Sequence, residues 1–295
     1  MKFLIFPFLL YILSCTPAPI TSISDTDSRE TTWAPLSVSF IDVGQGDAIL
    51  VQNERKNVLI DAGTYNRGSD VHEFITTVGN VDTLHTIIAT HPHADHIGGL
   101  IHIIDNIPVL EVIDPGVTHT TATYQDYITA IETNDINHTI GRAGMTRELC
   151  DITVMRIVHP VEPSEDHLNN SSIVAHVTNG THSFLFTGDT EAEAEAEMLQ
   201  RGEYVRADVL KVGHHGSRTS TTAAFLNVVR PQIAVVMCGE GNRYGHPHTE
   251  VTERLEAIGT EVYQSNLDGT VRVVSDREEL RVERGAVVYS LGESR

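Results

Sequence analysis

The residues Thr90-His91-Pro92-His93-Ala94-Asp95-His96-Ile97-Gly98-Gly99-Leu100 follow directly on the apolar run Thr86-Ile87-Ile88-Ala89. The run reads as a strand and Gly98-Gly99 as the opening of a helix behind it, so the polar cluster sits at a strand end, where loops build sites. His91, His93, Asp95 and His96 are four potential metal ligands within six residues. His91 and His93, two apart, project to the same side of an extended segment. Asp95 and His96 are adjacent, and only a sharp turn lets both face that side. Imidazoles with one carboxylate suit zinc, manganese or iron better than magnesium or calcium, which prefer oxygen. Solvated loop histidines would account for one or two of these residues, but not for H-x-H-x-D-H at a strand end.

Further strand ends carry similar chemistry. The strand at 181–186 ends in Thr187-Gly188-Asp189-Thr190. A carboxylate there can give one oxygen to each of two cations; it can also cap the glutamate-rich helix that follows. The strand at 207–212 delivers Gly213-His214-His215-Gly216-Ser217. Ser217 either contacts a phosphate or oxyanion or caps the helix at 220–229. After a strand at 233–237 comes Cys238-Gly239-Glu240-Gly241-Asn242-Arg243-Tyr244-Gly245-His246-Pro247-His248, a glycine-rich loop suited to a site wall. In it Arg243 is a clamp for an anionic substrate and His246 a transition-state donor or proton carrier.

Upstream, 36–43, 48–52 and 56–60 read as three short antiparallel strands. Asp47 and Asp61 sit at their turns and are expected to cap those turns rather than to bind metal. Helices are expected at 69–78, 96–104 and 121–132, and strands at 84–90 and 109–114. Short strands from 261 to 289 are expected to finish a second sheet. His72, His85, His102, His119, His138 and His159 occur singly and read as surface or core histidines.

H-x-H-x-D-H followed by Gly-Gly resembles the signature of the metallo-β-lactamase superfamily of hydrolases. The phrases Phe40-Ile41-Asp42-Val43-Gly44-Gln45-Gly46-Asp47-Ala48-Ile49 and Leu59-Ile60-Asp61-Ala62-Gly63 narrow the resemblance to the C-terminal hydrolase domain of ComEC-type DNA-uptake proteins, which also occurs free-standing. It covers most of residues 36 to 275. It implies an α/β fold, the αβ/βα four-layer sandwich, with two divalent metals, zinc or manganese, at one edge. One metal would be held by His91 and His93, with His167 or Asn169 nearby. The other would be held by Asp95, His96 and His214, with Asp189 shared between them. His215 would then face the substrate, as would Ser217, Arg243 and Asn169. The third histidine usual in the superfamily is replaced here by the asparagine-serine run at 169–172, as in ComEC-like members. The metals would lower the pKa of a shared water toward neutrality, and Asp95 would orient it.

The 295 residues are 40% hydrophobic, enough for one large domain with a buried core, expected over residues 33–295. Forty acidic against twenty basic residues give a formal charge of −20. The chain therefore lacks the basic footprint of a non-specific nucleic-acid binder, although bound metals reverse the sign locally. Residues 1–15 read as an export signal, with Lys2 ahead of an apolar core too short to span a bilayer. Its end, Ile12-Leu13-Ser14-Cys15, resembles a bacterial lipobox, which implies cleavage before Cys15 and lipid attachment to it. Residues 16–32, rich in Pro, Ser, Thr and Asp, read as a flexible tether. The expectation is a cell-envelope lipoprotein, on the periplasmic or extracellular face, with no transmembrane domain in the mature chain. Cys150 and Cys238 can be paired or free.

These readings converge on a metal-dependent hydrolase, foremost a phosphodiesterase or nuclease acting on DNA or nucleotides. The alternatives are a hydrolase of lactam, lactone or thioester bonds and a metal-stabilised surface protein without turnover.

Overall fold

The computed structural model describes residues 35–276 and 278–285. The export signal, Cys15 and the tether at 16–32 lie outside the described residues. The first half of the fold begins with β1 (Leu36–Phe40), β2 (Ile49–Gln52) and β3 (Asn57–Ile60), antiparallel as the short turns require. Then α1 (Gly68–Glu73) precedes β4 (Thr86–Ile88), and α2 (Ala94–Asn106) leads to β5 (Glu111–Asp114). The half closes with α3 (Ala122–Thr133) and β6 (Asn137–Ile140). Strands β3 to β6 run parallel, each crossover carrying a helix.

The second half opens with the antiparallel strands β7 (Thr146–Cys150), β8 (Thr153–His159), β9 (Val174–Asn179) and β10 (His182–Phe186). It continues through α4 (Ala192–Gln200), β11 (Val209–Lys211), α5 (Ala223–Val229), β12 (Ile233–Val236), α6 (Thr249–Ala257) and β13 (Glu261–Gln264). Strands β10 to β13 are again parallel. The short α7 (Ser265–Asp268) leads to β14 (Val271–Ser275) and β15 (Leu280–Arg284).

The sheets have the orders β15-β14-β1-β2-β3-β4-β5-β6 and β13-β12-β11-β10-β9-β8-β7. Here one expectation fails. Of the strands after residue 261, only β13 joins the second sheet; β14 crosses back to pair with β1, and β15 with β14. The unpaired edge of β1 draws them there, since a buried strand edge leaves its backbone groups without partners.

Period-two alternation sets the layers. On β2, Ile49 and Val51 enter the core between the sheets while Leu50 faces the helices; on β1, Leu36, Val38 and Phe40 all face inward. Phe184 and Phe186 of β10 meet Phe40 across the inter-sheet core, the Phe40 and Phe186 rings 6.2 Å apart. A second cluster joins the first sheet to α1, α2 and α3, and a third joins the other sheet to α4, α5 and α6. The result is an αβ/βα four-layer sandwich.

Gly98 and Gly99 lie inside α2, not at its start, and their role is close approach. A Cβ on Gly99 would fall 2.0 Å from the Ala62 carbonyl oxygen, and one on Gly98 would fall 2.5 Å from the Tyr65 amide. Only glycine lets this helix lie against the loop after β3. That contact brings Asp61 beside the start of α2.

Candidate metal centre

Except for the β1–β2 turn, every loop that carries a motif leaves the C-terminal end of a strand with a parallel neighbour, where α/β sheets form their ligand crevices. Asp61 follows β3, and His91 to His96 bridge β4 and α2. Asp189 follows β10, His214 and His215 follow β11, and the loop with His246 follows β12. Asp47 comes from the β1–β2 turn on the same edge.

Asp189 Oδ2 is the point of convergence. It lies 3.2 Å from His96 Nε2, 3.3 Å from His215 Nε2, and 3.8 Å from both His91 Nε2 and His214 Nε2. Asp95 Oδ2 is 3.4 Å from the same His215 nitrogen. Four overlapping groups have donor atoms within 4.8 Å of one another: His91, His96 and Asp189; Asp95, His96 and His215; Asp47, Asp189 and His215; and Asp47, Asp61 and His96. These groups can hold a metal ion.

The hydrogen bonds around them fit that chemistry. His215 Nδ1 donates to the Met237 carbonyl at 2.9 Å, and His96 Nδ1 lies 2.8 Å from Asp61 Oδ2. Each ring therefore has its outer nitrogen tied and its Nε2 turned inward, the arrangement that orients imidazole ligands. Both Nε2 atoms are buried without a hydrogen-bond partner, as is Asp189 Oδ1. Orphaned buried polar atoms are costly, and a divalent cation satisfies all of them at once. His91 Nε2 and His93 Nδ1 lie 2.9 Å apart, a spacing open to a shared ion on the other flank.

The electrostatics are those of a desolvated cluster in which carboxylates face imidazoles and one ammonium. Burial opposes charge on His96 and His215, yet Asp189 and its neighbouring carboxylates raise both well above the ordinary imidazole value. Burial would raise Asp189, but His215 and His96 hold it well below the usual carboxylate range. For His91 and His93 burial wins, helped by His96, and both are lowered. His246 is pushed down to about 4 by burial and by His215 and His214.

Lys211, absent from the sequence-based candidates, has its ammonium wholly buried at the base of the cluster. It pairs with Asp47 Oδ2, donates to the Gly188 carbonyl at 2.8 Å and stands 3.8 Å from Asp189 Oδ1. Asp61, expected to cap a turn, instead accepts from the Thr90 amide and hydroxyl as well as facing His96.

The remaining expected residues divide. His215, not His214, belongs to the donor groups; His214 turns Nδ1 to Glu191 Oε1 at 3.0 Å and keeps its Nε2 at the rim. Both histidines have left-handed backbone, φ 45° and 54°, which swings the two adjacent rings to different sides. His167 belongs to none of the groups; with Asn169, His93 and Glu191 it lines a neighbouring cavity of about 330 Å³. The asparagine-serine run is scaffolding for the Asp189 loop: Ser172 Oγ accepts from the Asp189 amide and Asn170 Oδ1 from the Glu191 amide. Ser217 bonds the Thr219 hydroxyl, and Thr222, not Ser217, caps α5. Arg243 is exposed and bonds the Tyr244 hydroxyl. Cys150 and Cys238 are free thiols.

The centre forms the floor of a cavity of about 330 Å³ lined by His93, Asp95, Asp189, His215, Tyr244 and His246, among others. Residues 41–240 match the family model of the metallo-beta-lactamase superfamily. The chain belongs to that superfamily. It is 29% identical to ComE operon protein 3 of Bacillus subtilis over 80% of its own length and 32% of the relative. It is 32% identical to Recombination protein 2 of Haemophilus influenzae over 88% of its length and 31% of the relative. The chain thus spans about a third of the curated relatives it matches. Among solved structures, the metallo-beta-lactamase fold protein YhfI of Bacillus subtilis superposes with a TM-score of 0.51 at 12% identity, over 78% of this chain and 96% of that one. The diiron beta-hydroxylase CmlA of Streptomyces venezuelae superposes at 0.52 and 12%, over 82% and 54%. Superfamily membership together with the histidine-aspartate cluster is that of a metal-dependent hydrolase in outline.

Proposed function

We propose that this chain is a phosphodiesterase, acting on single-stranded DNA or another nucleotide substrate with two divalent ions, zinc or manganese. The observation that carries the reading is the convergence of His96 and His215 on Asp189 Oδ2, with Asp95 Oδ2 against the same His215 nitrogen and the His91–His93 pair alongside. Asp95, His96 and His215 would hold one ion and His91 and His93 the other, with Asp189 in reach of both. Bound there, the ions supply Lewis acidity toward a phosphoryl oxygen and bring the pKa of water toward neutrality.

The chain's own groups do the rest. Asp95 is partly exposed at the cavity floor and orients the attacking water. Burial and the neighbouring histidines keep His246 neutral at physiological pH. Its Nδ1 is buried without a hydrogen-bond partner, while the ring lines the cavity that would take the substrate. Glu191 fixes the His214 ring so that its Nε2 points to the same space. Arg243 contributes an exposed positive charge at the rim of an acidic protein. Similarity to proteins named for competence and recombination supports DNA as the substrate class. The reading also has the chain exported and anchored by lipid at Cys15; among the described residues no helix is long and apolar enough to cross a membrane.

Labelled single-stranded DNA incubated with the protein and zinc or manganese in turn tests the activity. The expected result is metal-dependent cleavage that Asp95→Ala abolishes. No cleavage by protein shown to hold two ions overturns the nuclease reading in favour of a small-molecule hydrolase.

A further inference from the structure

Four rings lead from the metal centre to the surface. His96 and His215 are 5.2 Å apart at 34°, His215 and His246 are 6.4 Å apart at 30°, and His246 and Tyr244 are 5.5 Å apart at 22°. The Arg243 guanidinium lies 4.8 Å from the Tyr244 centroid and bonds its hydroxyl at 2.6 Å. The inner rings are buried, whereas Tyr244 is 48% exposed and still lines the cavity whose floor is Asp189 and His215.

The loop that carries these groups is pinned. The Asn242 side-chain oxygen accepts from the Tyr244 and His246 amides, while its amide group donates to the Gly239 and His246 carbonyls. Gly239 in turn donates to Gln45 across the cleft. A half-exposed aromatic ring on a pinned loop is a preformed surface, and its ordering cost is already met in the fold.

We propose that Tyr244, steadied by Arg243 and His246, is a stacking platform for one nucleobase whose phosphate lies over the metal centre. This rests on the phosphodiesterase reading and deepens it. A nucleotide joins an anion to a flat ring a short distance away, matching a metal-loaded centre beside a half-exposed aromatic ring; a lactam or lactone offers no such ring. Bases inside a duplex have both faces covered by their neighbours, so the platform selects a single strand or a strand end. A formal charge of −20, with acids outnumbering bases two to one, disfavours long-range attraction of a polyanion. Recognition therefore depends on this one base more than on a run of phosphates.

The test compares deoxyadenosine 5′-monophosphate with 2-deoxyribose 5-phosphate, its baseless counterpart, by calorimetric binding to the metal-loaded protein. Neither is a diester, so turnover does not intrude. Wild type is expected to prefer the nucleotide by about tenfold, within the range that one base stacked on an aromatic side chain contributes. Tyr244→Ala is expected to erase the preference and Tyr244→Phe to keep it. Equal binding of the two ligands by wild type, or a preference that survives in Tyr244→Ala, overturns the proposal. Cleavage assays report on the phosphodiesterase reading separately: a preference without cleavage of any diester leaves the platform standing and sinks the enzyme.

Discussion

On the flank of His96 and His215, each imidazole has its outer nitrogen tied, to Asp61 and to the Met237 carbonyl, and two carboxylates, Asp95 and Asp189, face the inner nitrogens. On the flank of His91 and His93, the two rings meet each other at 2.9 Å and the nearest carboxylate oxygen stands 3.8 Å from His91. Where the superfamily resemblance implies a third histidine, the asparagine-serine run is spent on holding the Asp189 loop. One flank is thus a four-donor nest, and the other, although Thr90 holds the outer nitrogen of His91, has fewer donors and no tie on the outer nitrogen of His93. An ion on the first flank should be tight and one on the second exchangeable, because donor count and outer hydrogen bonds together set affinity.

The largest effect expected from this asymmetry is in single ligand removals. His215→Ala should lose the tight ion and lower phosphodiester cleavage by at least the ~10²–10³-fold that removal of one charge-stabilising group costs. His93→Ala should retain one ion per chain and lose less activity. Metal analysis after gel filtration reads the difference, and equal ion loss from both variants would remove the asymmetry.

A smaller effect is expected at the base of the centre. Lys211→Met takes from Asp47 its buried ammonium partner, and breaking a buried pair typically costs about 3–5 kcal/mol of stability. Because Asp47 Oδ1 is 3.4 Å from His215 Nδ1, the damage should also weaken the tight flank more than the other. Adding Asp47→Asn to Lys211→Met should recover part of the stability in denaturant unfolding, since the orphaned charge is then gone. No recovery would mean that the pair supports the fold by shape alone.

Lys211 also shows what could be read in advance and what could not. The order of strands and helices, the antiparallel start and the strand-end position of H-x-H-x-D-H were all legible, because hydrophobic period and turn residues are local signals. A lysine inside the apolar stretch Val209-Leu210-Lys211-Val212 is itself a sign of a buried charge in a strand covered on both faces. His214 against His215 could not be decided from spacing, since adjacent residues at a left-handed turn follow neither strand nor helix periodicity. Asp61 looked like a turn residue because its two roles depend on Thr90 and His96, which the pairing of β4 with β3 and the packing of α2 bring near. Nor did the pattern of β14 and β15 say which sheet they would join, for pairing with β1 is settled by an open edge some 230 residues away.

The smallest expected effect separates the flanks by protons. At His96 and His215 burial disfavours charge, but the surrounding carboxylates, Asp189 first, raise both imidazoles well above their ordinary value, so at neutral pH without metal they carry protons. A cation on that flank must displace those protons. Its apparent affinity should therefore rise with pH until the raised values are passed, by about tenfold per unit for each proton released. His91 and His93 are shifted the other way, by burial and by His96, and are already neutral at pH 7. Binding on their flank should release no imidazole proton and show little dependence on pH above the ordinary histidine range. Calorimetric titration of metal-free protein, repeated in buffers of different ionisation enthalpy, counts the protons for the first and second ion separately. Release with the first ion and none with the second is the expected result. Equal release for both would mean that the two flanks share one proton pool through Asp189, and that their difference in donor number does not reach their chemistry.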